Sequence, residues 1–409
     1  MEENKKNMMK SRLMTKDFCC LCVANFLMFF SFYALMPLLP FYLEDIFAVN
    51  HSVTGIVLAS YSVACILMRP ISGYMLDVFR QRPLFLLGYC LFTILFCGYA
   101  FSAVLGTFIV FRVAHGAAFG LTSVSGNTIA SEIVPQRRMG EGLGYYGLSN
   151  TLAMCVGPMS GLALQGRISY DILFILLFAL CFVGFLVACM VTMQGRKPVG
   201  HPKFSFKSLF LTEGLWEAIS LLFASAPYGM TTAYIALYAK EISIPFNSGT
   251  YYTVMALGLG ISRLLSGKRI DKGMANTLII VGLLLVVASY VALSFIRILA
   301  TGNTPLVAFV CVAIAFLQGI SFGTLHPAFN TLLVKMAPAE RRGSATSTYQ
   351  TGWDLGIGIG IGIVVGGYWA DYYGGFHASY FGGACLALLG CIIFVIKMKW
   401  KLNHNIKLQ

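Results

Sequence analysis

The chain has 409 residues, of which 58% are hydrophobic and 11% charged, and its formal net charge is +13. A water-soluble domain carries about a quarter of its residues as charges, so this composition excludes one and calls for lipid as the solvent. The basic excess invites a nucleic-acid partner, but the placement of Lys and Arg along the chain excludes that as well.

In chain order, twelve apolar runs suit the roughly 20 residues a helix needs to cross a bilayer. They cover about 18–43, 53–76, 84–102, 105–133, 140–164, 168–193, 209–239, 248–270, 275–297, 303–335, 343–370 and 376–398. Their length, and the lack of short alternating segments, predict helices rather than a β-barrel. The first run follows a basic stretch but outlasts a signal-peptide core and lacks a small-residue cleavage site, so it reads as an uncleaved span. Basic residues gather at Lys5–Lys16, Arg80 and Arg82, Arg137 and Arg138, Arg196–Lys207, Lys268–Lys272, Lys335, Arg341 and Arg342, and from Lys397 onward. All of these fall on one side of a twelve-span trace, and the other side holds Arg167, Lys240 and Arg297. That is the positive-inside pattern, with both termini expected in the cytoplasm and the spans in the cell's inner (plasma) membrane. The 12 cysteines are scattered through apolar runs and read as small buried hydrophobes. No metal or other cofactor is expected.

The chain repeats itself. Landmarks between Val53 and Gly195 return between Thr250 and Lys397. His115, Gly116, Phe119 and Gly120 return as Gln318, Gly319, Phe322 and Gly323; Asn127, Pro135, Arg138, Gly140 and Gly157 return as Asn330, Pro338, Arg341, Gly343 and Gly360, all at an offset of 203. Arg69, Gly73 and Asp77 return as Arg263, Gly267 and Asp271 at an offset of 194. The longest polar stretch, from Gln194 to Lys207, divides the spans six and six. The expected organisation is an N-terminal bundle at 1–193, a connector at 194–208 and a C-terminal bundle at 209–409. A membrane protein of two similar halves commonly holds cargo where they meet and rocks one against the other. The alternating glycines Gly356–Gly362 read as a close-packing face of the eleventh span.

Gly73, Asp77, Arg80 and Arg82, between the second and third spans, resemble the signature of the major facilitator superfamily, and Gly267, Asp271 and Lys272 are the matching copy. Val78 stands where that signature has Arg, and Arg80 where it has Gly. Helix count, duplication and central connector agree along essentially the whole chain. The resemblance implies an all-α membrane protein of twelve transmembrane helices in two pseudo-symmetric six-helix bundles. It also implies that the Asp77 region latches the halves in one state of the cycle. Physically, Asp77 can face the positive N-terminal end of a neighbouring helix, while Arg80 and Arg82 seek acids such as Glu132; a purely topogenic cluster is the alternative. Arg112 with Gly116 is similar to the family's fourth-span signature, and an Arg that deep costs at least about 2.5–3.5 kcal/mol on insertion scales, so it should face a cavity or a partner. A structural Arg tied to carbonyls is the other reading. Gly157 and Pro158 with Gly161 look like the antiporter signature of the fifth span, although Leu162 replaces a second closing Gly.

Within the spans lie Arg69, Arg112, Arg263 and Asp354, with Glu132 near an inner end and Glu213 and Glu217 opening the seventh span. Asp354 is the acid nearest mid-membrane. The superfamily fold would bring it to Arg69 across the halves, as a proton-coupling pair or as a permanent structural one. In that fold the first, fourth, seventh and tenth spans line the cavity. Their candidate cargo ligands are Asn25, Tyr33, Arg112, His115, Asn127, Tyr228, Tyr234, Gln318, His326 and Asn330. Helix-packing hydrogen bonds are the competing role for each.

The leading expectation is a monomeric secondary transporter in the lipid bilayer that exports a small-molecule substrate in exchange for protons. A proton-coupled uptake symporter for a sugar or similar solute, or a non-transporting membrane receptor, is the alternative. Neither a metalloprotease motif nor a P-loop occurs, so an enzyme or an ATP-driven pump is not expected.

Overall fold

The computed structural model describes residues 13–49, 51–192, 205–242, 248–299, 304–357 and 362–406. These are helical, and no strand occurs among them. They group into two compact units, one made of residues 1–210 with 337–347, the other of 211–336 with 348–409.

Unit 1 contains α1 (Lys16–Leu35), α2 (Leu39–Phe47), α3 (His51–Val78), α4 (Gln81–Ala100), α5 (Leu105–Ile133), α6 (Met139–Leu164) and α7 (Tyr170–Cys189). The expected first span, 18–43, is broken. Helix α1 stops at Leu35, two residues before Pro37, and α2 restarts with Pro40 in its first turn. A proline cannot donate to the ladder and turns its predecessor away from helix, so the break sits where the sequence demands it. Thr15 opens α1, its hydroxyl accepting from the Phe18 N–H at 3.2 Å.

Unit 2 contains α8 (Leu215–Glu241), α9 (Ser248–Arg269), α10 (Ala275–Leu299), α11 (Thr304–Met336), most of α12 (Arg342–Ile357), α13 (Gly362–Tyr372) and α14 (Phe376–Ile406). Helices α9 and α10 are joined by a π-type turn, Ile270–Met274, in which Gly273 takes φ 88°. A side chain at that position would be strained. Of the glycine alternation, residues 358–361 lie outside the described residues, as does Gly360.

The two units use one packing scheme. In unit 1, α3 packs on α5, α1 on α6, and α4 on α5 and α7; in unit 2, α9 packs on α11, α8 on α13, and α10 on α11 and α14. Individual backbone contacts repeat as well. Gly116 of α5 presses on the carbonyl of Tyr61 in α3, and its counterpart Gly319 presses on the carbonyl of Met255 in α9. Gly120 on Cys65 and Gly323 on Leu259 repeat the contact one turn along. The short 3-10 turns Gln136–Arg138 and Ala339–Arg341, each behind a proline, are a third matched pair. Small residues are what allow backbones to approach this closely.

The solvent the fold expects is visible in its surface. Leu67, Val110, Phe309 and Ile396 point outward, whereas Ser72, Ser125, Thr128 and Ser321 are buried. Ser72, Ser125 and Thr128 each return a hydrogen bond to the carbonyl four residues back. Eight helical stretches among the described residues are long and apolar enough to cross a bilayer, one of them the 50-residue run Gly249–Ile298 that contains two helices. The expected spans that fall short, at α6, α8 and α12, carry Glu141, Glu217 and Asp354. Glu141 and Glu217 are buried, so polarity is spent inward rather than on lipid.

Candidate functional site

Inside unit 1, side chains of α3, α4 and the residue that follows α1 converge on Arg112 of α5. The guanidinium lies 4.4 Å from the centre of the Tyr61 ring and is fully buried. It donates to the Tyr99 hydroxyl at 3.4 Å and approaches the Met36 sulfur at 4.0 Å. Among the described residues no carboxylate stands within ion-pair distance of it. His115, one turn on, is also fully buried. Its Nδ1 lies 2.6 Å from the Tyr99 hydroxyl, and Phe92 and Phe96 pack on its ring at 4.2 and 4.8 Å. Removing a charge from water with only aromatic partners costs on the order of several kcal/mol, less what the ring faces return. The sequence pointed to Arg112 and His115 but not to Tyr61 or Tyr99, which come from other helices.

Unit 2 holds a second aromatic cluster, around His326. The His326 ring lies against Trp353 with centres 3.7 Å apart and planes tilted by 53°, and its Nδ1 lies 2.5 Å from the Tyr349 hydroxyl. Tyr228 meets Phe322 at 5.0 Å and Trp353 at 5.5 Å. Tyr234 stacks on Phe376 at 5.2 Å. Tyr349 and Trp353 are the 203-offset partners of Tyr146 and Asn150, a signal the sequence carried unread.

The other candidate ligands divide by what they already hold. Asn25 accepts from the Tyr146 hydroxyl and donates to Ser149, both at 2.8 Å, and so ties α1 to α6. Gln318 accepts from Tyr251 at 2.7 Å. Tyr33 is half-buried on α1 beside Phe29 and Phe32. Asn127 and Asn330 are buried at equivalent positions of α5 and α11. Arg69 belongs to unit 1, and Asp354, half-buried on α12, to unit 2.

Of the gating candidates, Gly73 and Asp77 lie at the end of α3, Arg80 just beyond it and Arg82 at the start of α4. Asp77 accepts from the Gly343 N–H at 2.8 Å, from the Ser344 N–H at 3.0 Å and from the Ser344 hydroxyl, and so caps α12 from outside its own chain segment. Four unsatisfied N–H groups and the helix dipole make that end a place for a carboxylate. Gly73, one turn earlier, leaves no room for a side chain: a Cβ there would lie 2.6 Å from Ser347 Cβ. The expected approach of Arg82 to Glu132 does not occur. Arg82 donates to the Cys189 carbonyl at 3.0 Å, at the electronegative end of α7, while Glu132 pairs with Arg342 at 3.1 Å. Arg80 is exposed. Arg341 donates to the carbonyls of Lys207 and Phe210, at the far end of the connector. At its near end, Asp17 accepts from the Thr192 N–H at 3.0 Å. Gly157, followed by Pro158, brings α6 against Tyr33 and Ala34 of α1. Gly267 is buried in α9, and Asp271 lies 3.7 Å from Lys335.

The family profile described as Major Facilitator Superfamily matches residues 21–360 and 307–407. The staphylopine export protein of Staphylococcus aureus is 25% identical over 349 residues, covering 81% of this chain and 85% of that protein. The multi-drug resistance efflux pump PmrA of Streptococcus pneumoniae is 24% identical, covering 77% and 79%. The multidrug resistance protein MdtG of Salmonella paratyphi C is 24% identical, covering 80% and 82%. Among solved structures, the human organic anion transporter MFSD10 (TETRAN) superposes with a TM-score of 0.75 at 15% identity over 93% of this chain and 99% of that one. FucP in its outward conformation superposes at 0.73 and 16%, over 94% and 99%. With its helices, its duplicated packing and a family match along most of its length, the chain belongs to the major facilitator superfamily and is a multi-pass membrane transporter rather than an enzyme.

Proposed function

We propose that the chain is a secondary active exporter that moves a small organic compound out of the cell in exchange for protons, by alternating access. The observation that carries this reading is the set of relatives named for export or efflux, each matched over about four fifths of this chain. In this reading the bundles at 1–193 and 209–409 enclose the cargo, the connector at 194–208 links them, and one copy of the chain suffices. The protein sits in the inner (plasma) membrane with both termini in the cytoplasm. Tyr33, Asn127, Tyr228, Tyr234, His326 and Asn330 contact cargo, while Asn25 and Gln318 hold helices together. Asp354 carries the proton, and Arg69 is the charge that competes for it. The capped end of α12 at Asp77 is the switch that docks and releases during the cycle.

The test uses inside-out membrane vesicles and a cargo found by screening a deletion strain for hypersensitivity to many compounds. Acidifying the vesicle interior should drive accumulation. Accumulation under the opposite gradient would establish uptake, and binding without counterflow would establish a receptor.

A further inference from the structure

Among the buried polar atoms of unit 1 that have no hydrogen-bond partner, Tyr61 Oη, Arg112 Nε and His115 Nε2 come from neighbouring side chains. They belong to one nest, since the guanidinium lies over the Tyr61 ring and the Tyr61 and His115 rings meet edge to face at 5.6 Å. Each of the three can donate a hydrogen bond. Arg112 donates to Tyr99, so the arrangement that satisfies the Tyr99 hydroxyl has it give its own proton to His115 Nδ1. The neutral imidazole then carries its hydrogen on Nε2. Guanidinium N–H, imidazole N–H and phenol O–H are all donors, gathered about a positive charge with no carboxylate among the described residues to meet it.

The second repeat supplies an internal control. The positions of Tyr61, Arg112 and His115 are taken there by Met255, Ala315 and Gln318. The backbone contact beneath them is the same in both copies, Gly116 on Tyr61 and Gly319 on Met255. Met255 and Ala315 are as fully buried as the residues they replace. The helix pair therefore packs without the cation and without the phenol, and the scaffold does not account for them. Gln318 keeps one unpartnered donor, Nε2, but no charge accompanies it.

We propose that Tyr61, Arg112 and His115 form an anion-binding site within the N-terminal bundle, which takes a small monovalent anion or the carboxylate of a larger molecule. The donor set fits a halide or a carboxylate oxygen, each of which accepts from several donors and neutralises the guanidinium. A cation would meet the Arg112 guanidinium with no carboxylate among the described residues to offset the repulsion. The site lies wholly inside unit 1 and stands whether or not the direction or coupling of transport is as described above.

The test is thermal unfolding of the purified full-length protein in detergent, at constant pH and ionic strength, with sodium sulfate as the reference salt, since its dianion is neither a monovalent anion nor a carboxylate. Chloride, bromide and formate should each raise the midpoint with a saturable dose response, as any ligand that binds the native state does. Tyr61→Phe keeps the ring under the guanidinium and removes one donor, so it should weaken apparent anion affinity about 5-fold to 10-fold. Arg112→Gln should abolish the response, and Ala315 or Gln318 variants should leave it intact. Benzoate, added as a second series, separates the two sources. If it competes with chloride, the nest takes a carboxylate on a larger body. If only chloride, bromide and formate bind, the nest holds a free inorganic-sized anion. A midpoint that does not depend on any of these anions, or a dose response that Tyr61→Phe leaves unmoved, would overturn the assignment and leave water as the occupant.

Discussion

Asp77→Asn is the sharpest perturbation available at the end of α12. The carboxylate accepts three bonds there, two from backbone N–H groups and one from the Ser344 hydroxyl. The amide keeps one acceptor oxygen and turns an NH2 toward the remaining donors. A hydrogen bond to a charged group contributes about 1.5–3 kcal/mol, and the loss of negative charge at a helix N-terminus removes about 0.3–1 kcal/mol more. Part of this returns through water and relaxation, so about 2 kcal/mol is a fair working figure, or roughly 30-fold in the equilibrium for undocking the segment. Hydrogen exchange read by mass spectrometry on a peptide spanning 337–347 measures that equilibrium directly. Exchange should accelerate about 30-fold, against about 5-fold for Ser344→Ala, which removes a single neutral donor. Asp45→Asn, whose carboxylate accepts from Tyr170 elsewhere in unit 1, serves as the control. If Asp77→Asn exchanged no faster than that control, the cap would not be what holds the segment.

Gly116→Ala and Gly319→Ala should each lower the unfolding midpoint by an amount equal to about 1–3 kcal/mol or more, because the new Cβ meets a backbone carbonyl that cannot step aside. Gly106→Ala, with nothing near its Cβ, should be silent, and equal stability of all three variants would contradict the packing. Arg341→Ala removes the two carbonyl contacts at Lys207 and Phe210, so limited proteolysis should cut the connector severalfold faster than in wild type; an unchanged digest would show that the contact does not moor it. Asp354→Asn should leave expression and insertion intact while removing transport driven by a pH gradient, and a wild-type rate across such a gradient would take the proton away from Asp354.

Periodicity and duplication made the helices and the two-part plan legible before any coordinates. They also marked Gly116 and Gly319 as a pair, and the structure gives that pair one contact. Pro37 and Pro40 announced a break that the apolar run concealed, because hydropathy sums over composition whereas a helix depends on backbone donors. The partners of charged residues were the hardest to read. Arg82 and Glu132 are of opposite sign and both lie near inner ends, yet Arg82 settles on the carbonyl of Cys189 and Glu132 on Arg342. That choice depends on which helix termini meet, and spacing along one chain does not encode it. The Arg112 nest illustrates the same limit, since Tyr61 and Tyr99 reach it from two other helices and Met36 from the residue that follows α1. Tyr146 and Tyr349 show what was available: both sit at the 203 offset, and each hydroxyl meets a residue that had been singled out, Asn25 and His326.

The glycine-on-carbonyl contact present in both copies frees selection in an uneven way. Because register there is fixed by backbone rather than by side-chain chemistry, either half can exchange a phenol for a thioether, or a guanidinium for a methyl, without losing its grip. Mutation can then remodel recognition in one half while its twin preserves the architecture, which offers a lineage new specificities without a new fold.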